Sequence, residues 1–261
     1  MKVFPAVEVV DGAGVKIRRY IGVSPRELDP FLLLDEIKSS NPEDYVAGFP
    51  LHPHRGFQTL TYMIKGKFKH RDSSGGEGVL EEGWLQWMNA GRGVLHSEIP
   101  LMKEGLLWGF QLWLNNPSYQ KMSEPFYYNF PANKILESEG IVVYDLVGDV
   151  MREKGFYPIT YLHIEMEEGG SYRTELPEDN IGFVAVSEGT VRVNGERVTG
   201  GHLALLERED VEIHAEEAST LLLGGAKPLG EPIFRWGPFV MNSEEEIRKA
   251  IEDFRRGKLT G

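Results

Sequence analysis

Short runs in which apolar and polar residues alternate fill most of the chain. Thr59–Met63 and Lys65–Lys69 read as two paired strands turning about Gly66. Leu107–Leu114 interleaves Leu and Phe with Trp and Gln, and Ile141–Val147 is a further apolar run. Turn-forming stretches at Ser73–Gly78, Asn115–Ser118 and Gly169–Ser171 separate such segments, the rhythm of a sandwich or a barrel. A second series of strands runs through Thr160–Glu165, Gly182–Ser187, Thr190–Val193, Glu196–Val198, His202–Leu206, Val211–His214 and Thr220–Gly224. Between two of these, Val193–Asn194–Gly195–Glu196 predicts a type I′ hairpin, because Asn-Gly supplies the positive φ values that turn requires. The irregular stretch Asn115–Glu139, rich in Pro, Ser, Tyr and Asn, is the natural connection between two all-β units in series.

One segment follows a different period. Ser243 with Glu246 three residues on forms a capping box, and Ile247, Ala250, Ile251 and Phe254 then recur at helical spacing. This predicts a C-terminal α-helix over Ser243–Arg256 with one apolar face packed on a barrel.

The chain's 261 residues suit two domains, and the predicted division is 1–135 and 136–261, with the helix closing the second. Thirty glycines and fifteen prolines agree with many turns and short strands. The formal net charge of −12 repels phosphate backbones, which argues against direct nucleic-acid binding and leaves a protein partner open. With no cysteine, any bound metal must be held by imidazoles and carboxylates. The first residues, MKVFPAVEVVDGAG, lack the apolar centre of a signal peptide, and no apolar run approaches the ~20 residues of a membrane span. A cytoplasmic monomer is the simplest expectation.

Candidate chemistry is concentrated between Gly48 and Pro100. His52-Pro53-His54 places two imidazoles at i and i+2, which share a face of an extended segment. His96-Ser97-Glu98 repeats that spacing with an imidazole and a carboxylate. On facing strands, the two pairs offer three nitrogen donors and one anionic oxygen, a set suited to a first-row divalent ion with two positions left for substrate and dioxygen. The spacing alone leaves ligation and ordinary buried histidines equally open.

These residues also carry a resemblance. FPLHPHRGFQTLTYMIKGKFKHRDSSG, followed by GWLQWMNAGRGVLHSEIP, closely resembles the pirin family of two-barrel cupins, with further matches at DGAGV (Asp11–Val15), LDPFLLLDE (Leu28–Glu36), GFQLWLN (Gly109–Asn115) and GPFVMN (Gly237–Asn242). The resemblance implies two cupin (double-stranded β-helix, or jelly-roll) barrels. It implies one metal, Fe(II) before Mn, Co, Ni, Cu or Zn, held in the N-terminal barrel by His52, His54, His96 and Glu98. The C-terminal barrel should be without metal, which agrees with the scattered placement of His163, His202 and His214.

The implied activity is quercetin 2,3-dioxygenation. A flavonol ring is opened by O2 with release of CO, and Glu98 accepts the 3-hydroxyl proton. The competing role is a non-enzymatic, iron-dependent and redox-sensitive regulator that binds a protein partner. Gln58 stands where cupins, pirins included, usually carry Glu; it can orient a ligand but cannot act as a carboxylate base. Arg55 and Arg92 are expected either to brace the pocket mouth or to form structural ion pairs, and His70 to serve a turn or a hydrogen bond. Trp84, Trp87, Trp108 and Trp113 read as core, and Gly91 and Gly93 as the tight turn that aims His96 inward.

Overall fold

A computed structural model describes the chain except for residues 24, 26, 27, 155 and 207–209 and the side chain of residue 152. It is built almost wholly of antiparallel strands in two compact units, neither of them continuous in sequence. One unit comprises Glu8–Arg19, Phe31–Phe130 and Leu229–Gly261; the other comprises Met1–Val7, Tyr20–Pro30 and Pro131–Pro228.

In the first unit a seven-stranded sheet runs in the order Phe126–Pro131, Trp84–Asn89, Phe57–Lys65, Leu107–Asn115, Phe31–Ser39, Val15–Ile21, Val7–Asp11. A four-stranded sheet, in the order Phe49–His54, Val94–Pro100, Phe68–Asp72, Glu77–Leu80, completes this barrel. The second unit repeats the plan. Its seven-stranded sheet orders Lys2–Pro5, His202–Leu206, Ile181–Glu188, Ser219–Ala226, Ile159–Met166, Ile141–Asp145 and Asn133–Ser138. Its four-stranded sheet orders Ser171–Glu175, Asp210–Ala215, Thr190–Val193 and Glu196–Thr199. The all-β, two-barrel architecture with one C-terminal helix is therefore as expected.

The Asn-Gly hairpin also forms. Asn194 and Gly195 have φ of 48° and 86°, and Val193 faces Glu196 across the turn. The hairpin expected about Gly66 does not. Phe57–Lys65 pairs with Trp84–Asn89 and Leu107–Asn115, whereas Phe68–Asp72 crosses to the other sheet and pairs with Val94–Pro100 and Glu77–Leu80. Gly66, at φ 91°, turns the chain between sheets instead of folding one strand back on the other.

The helix Glu244–Arg255 is capped as its sequence predicts: Ser243 Oγ accepts the Glu246 N–H at 3.2 Å. The Glu246 carboxylate reaches back to the Asn242 N–H at 2.9 Å. The helix belongs, however, to the first unit and not to the second. Ile247 and Ala250 are buried with Phe239, Met241 and Leu259, and Asp253 pairs with Arg55 at 2.8 Å. The second unit instead takes the N-terminal strand Lys2–Pro5, paired along His202–Leu206. The reason is apolar and polar matching at a distance: the helix's apolar face packs around Phe239, and Asp253 pairs with Arg55. No helix among the described residues is long and apolar enough to cross a membrane.

Candidate metal centre

The four-stranded sheet of the first barrel brings the histidines together through its register. On Val94–Pro100, burial alternates, so that Val94, His96, Glu98 and Pro100 point inward. His96 stands opposite His52, and Val94 opposite His54. The imidazole centroids of His52, His54 and His96 lie 4.3–4.8 Å apart, and one ligand atom from each falls within 4.8 Å of the others.

The hydrogen bonds fix which nitrogens are available. His52 Nδ1 lies 2.8 Å from the Pro50 carbonyl oxygen, which can only accept, so Nδ1 carries the proton and Nε2 the lone pair. His54 Nδ1 and both nitrogens of His96 are buried with no hydrogen-bond partner. Burial, and then the neighbouring His52, push the His54 pKa well below its ordinary value; burial, and then His54, His52 and His70, do the same for His96. Neutral imidazoles with buried, unpartnered nitrogens facing one another are what a divalent cation requires, so these residues fit the metal that a cupin barrel would carry.

Glu98 sits slightly apart. Its ligand atom groups with those of His70 and His96, so His96 is common to two triads and the four expected residues do not form a single one. Three donors from the seven-stranded sheet hold the Glu98 carboxylate: Gln86 Nε2 at 2.9 Å and Thr61 Oγ1 at 3.2 Å to Oε1, and Gln111 Nε2 at 2.8 Å to Oε2. His70 Nε2 donates to Asp72 Oδ2 at 2.9 Å, which leaves its buried Nδ1 lone pair toward His96 and Glu98. Asp72 Oδ1 is in turn held by the Ser74 backbone N–H and hydroxyl and by the Gly76 N–H. The hydrogen bond expected of His70 is present, and its approach to the histidine cluster is additional.

The remaining candidates lie away from the cluster. Gln58 is one residue out of phase with Phe57, which touches the His54 ring, so it points to the opposite face of its strand. There it bridges the Trp87 indole N–H and the Asn116 amide, each at 2.6 Å, and orients no histidine. Arg55 does not brace the pocket mouth but ties the turn after His54 to Asp253 and to the Leu259 and Arg92 carbonyls. Arg92 pairs with Glu124. Trp87 and Trp108 are core, as expected; Trp113 departs from expectation and lines the cavity, its ring 5.2 Å from that of His54.

A cavity of about 620 Å³ opens over the cluster, reached by His52, His54 and Glu98 and walled largely by Leu33, Ile37, Met63 and Trp113. Sequence reasoning missed the polar residues of this wall, Thr61, Gln111, Asp35, Arg19, Asp11 and Arg235. Burial pushes the Asp35 carboxyl up to about 6, against the opposing pull of Arg19, which binds it through two hydrogen bonds of 2.7–2.8 Å.

Comparison with known proteins identifies the family to which the two barrels belong. Residues 14–114 match the pirin model and residues 161–260 the pirin C-terminal cupin domain. A Pseudomonas aeruginosa protein named as a candidate quercetin 2,3-dioxygenase is 40% identical over 95% of this chain and 93% of its own length. A Caulobacter vibrioides pirin-like protein is 38% identical over 99% of this chain and 100% of its own. Among solved structures, a quercetin 2,3-dioxygenase from Acinetobacter baumannii superposes with a TM-score of 0.89 at 35% identity, covering 99% of this chain and 97% of that one. The matches to both barrels, together with relatives that span nearly the whole chain, make this protein a member of the pirin family of two-barrel cupins.

Proposed function

We propose that this protein is a metal-dependent dioxygenase of the quercetin 2,3-dioxygenase type, with His52, His54, His96 and Glu98 as the ligands of one divalent ion, Fe(II) foremost. The observation that carries this reading is the convergence of three imidazoles with available or unpartnered nitrogens, two of which, His52 and His54, line a largely apolar, 620 Å³ cavity with His96 buried behind them. A closed structural site would be saturated by protein ligands and would have no cavity above it. The similarity to quercetin 2,3-dioxygenase of Acinetobacter baumannii adds the substrate class, a flavonol, and the co-substrate O2.

The bound ion would supply Lewis acidity toward adjacent substrate oxygens and coordination positions for substrate and O2. The chain's own residues do the rest. Gln86, Thr61 and Gln111 fix the Glu98 carboxylate from one side, so that a carboxylate oxygen can take the proton of a substrate hydroxyl in the cavity. Trp113, packed on Phe57 at 4.3 Å and covered by the Arg235 guanidinium 4.8 Å from its ring, brings an aromatic edge and a cation to the cavity wall beside His54. Leu33, Ile37 and Met63 keep water from the reacting ring.

The test is anaerobic reconstitution with Fe(II), and separately with Mn, Co, Ni and Cu, followed by quercetin under air with CO and the depside ester quantified. Turnover that depends on metal and vanishes in His96→Ala supports the reading. A stoichiometrically loaded protein that forms neither product with any of these metals overturns it and favours an iron-dependent, partner-binding regulator.

A further inference from the structure

The cavity wall contains a polar group that the proposed chemistry leaves unused. Asp35, Gln111, Thr61 and Gln86 stand directly opposite one another on four adjacent strands, a polar row across the inner face of the seven-stranded sheet. The last three all reach Glu98. Asp35 does not. Its carboxylate is held by the guanidinium of Arg19, Nε to Oδ1 at 2.8 Å and a terminal nitrogen to Oδ2 at 2.7 Å, while Arg19 also reaches Asp11 at 3.0 Å.

With neighbouring strands about 4.8 Å apart, Asp35 lies one strand beyond Gln111, roughly 5 Å further along the cavity wall than the residue that anchors Glu98. The strand Phe31–Ser39 sends Leu33, Asp35 and Ile37 to the cavity in alternation, so an ionised residue interrupts an apolar row. A buried ion pair is a weak source of stability, and a third apolar side chain would fill this place at least as well. The pair does retain binding capacity: each Asp35 oxygen accepts one hydrogen bond from Arg19, which leaves a lone pair on each for a donor inside the cavity.

We propose that Asp35, positioned by Arg19, is a specificity-determining subsite for a phenolic hydroxyl, so that the substrate is a two-ended hydroxylated aromatic: one end directed to the histidine cluster, the other donating a hydrogen bond to Asp35. This inference rests on the dioxygenase reading of the same cavity and names which members of the substrate class it selects. An aromatic lacking the distal hydroxyl would leave the Asp35 carboxylate buried beside an apolar ring, which penalises it relative to the hydroxylated partner.

The experiment is equilibrium binding, by quenching of protein fluorescence, of quercetin and of galangin, the flavonol without pendant-ring hydroxyls, to the metal-loaded full-length protein under anaerobic conditions. Wild type is expected to prefer quercetin about tenfold, and Asp35→Asn to weaken quercetin about tenfold while leaving galangin within about twofold. The double variant Asp35→Asn with Arg19→Gln exchanges the ion pair for a neutral pair, so that its own loss of preference is read in a protein without the Arg19 charge in the cavity wall. Equal wild-type affinities, or parallel losses for both flavonols in the variants, overturn the subsite and leave the dioxygenase reading standing. Binding of neither flavonol to wild type overturns that reading and the subsite with it.

Discussion

The two barrels share one plan and differ in what fills it. In the first, Val94, His96 and Glu98 face inward on the strand central to the small sheet; in the second, Val211, Ile213 and Ala215 hold the same places. The register makes the equivalence explicit. His54 and His52 stand opposite Val94 and His96, as Thr174 and Tyr172 stand opposite Val211 and Ile213. On the other flank, Asp72 and His70 face His96 and Glu98, as Val193 and Val191 face Ile213 and Ala215. Every polar partner of the first barrel's cluster is thus an apolar residue, Tyr172 or Thr174 in the second. There, eighteen buried apolar residues form one continuous cluster. The strand framework accommodates either interior. A metal centre in this fold is a choice of side chains at six inward positions, made at the expense of the packing that the second barrel retains.

Exchanging residues between the two interiors would test this directly, and the largest effect should come from removing the centre. His96→Ile, which installs the residue of the second barrel, is expected to reduce metal binding from stoichiometric to undetectable in a competition titration. Because it also removes two buried nitrogens without partners, the metal-free variant should be more stable to denaturant than the metal-free wild type, by about 1–3 kcal/mol. The reciprocal change, Ile213→His, places an imidazole among apolar residues that offer it no partner; destabilisation of about 2–3 kcal/mol by denaturant unfolding, with no metal bound, is the expected outcome.

A smaller, pH-dependent contrast lies in His163 of the second barrel, stacked on Tyr144 and pushed by burial down to about 3. Its folded value lies below its unfolded value of about 6.5, so its contribution is complete above pH 6.5. As pH falls toward 3 the unfolded chain takes up the proton first, and stability declines by up to about 1.4 kcal/mol per pH unit. Denaturant titrations at pH 7 and pH 5 should show that decline, and His163→Phe should flatten it. The smallest effect concerns the helix: Ser243→Ala should cost about 1 kcal/mol. Amide exchange should accelerate in Glu244–Arg255 and around Phe239–Met241, not in the strands of the second barrel.

What the sequence made legible follows from distance along the chain. The pairs His52/His54 and His96/Glu98 announce themselves because the i, i+2 spacing that shares a strand face is local. Asn194-Gly195 and the capping box at Ser243 are equally local, and both form as predicted. The donors around Glu98 were hidden because Thr61, Gln86 and Gln111 come from three strands and meet only through sheet register. Asp35 and Arg19 were hidden in the same way, since they meet only where Val15–Ile21 lies beside Phe31–Ser39 in the sheet. Gln58 failed for the opposite reason. Its place beside the histidine motif invited a role at the site, but strand alternation turns it to the other face. The pairing about Gly66 failed because neighbours in sequence were taken as neighbours in space; the helix, read with the second barrel, packs on Phe239 and Met241 of the first unit through contacts that its own sequence does not announce.

The segment Leu229–Gly261, which joins the first barrel after the whole second barrel has been traversed, bears on how the protein is made. The turn after His54 is closed by the Pro238 carbonyl, which accepts the Arg55 N–H, by Lys121, which spans the Gly56 and Val240 carbonyls, and by Asp253 on Arg55. During synthesis, all the candidate ligands leave the ribosome more than a hundred residues before the chain that buttresses them. The support behind the turn after His54 is therefore the last part of the first unit to be made, so removal of Leu229–Gly261 should loosen the histidine cluster while leaving its residues in place in the sequence.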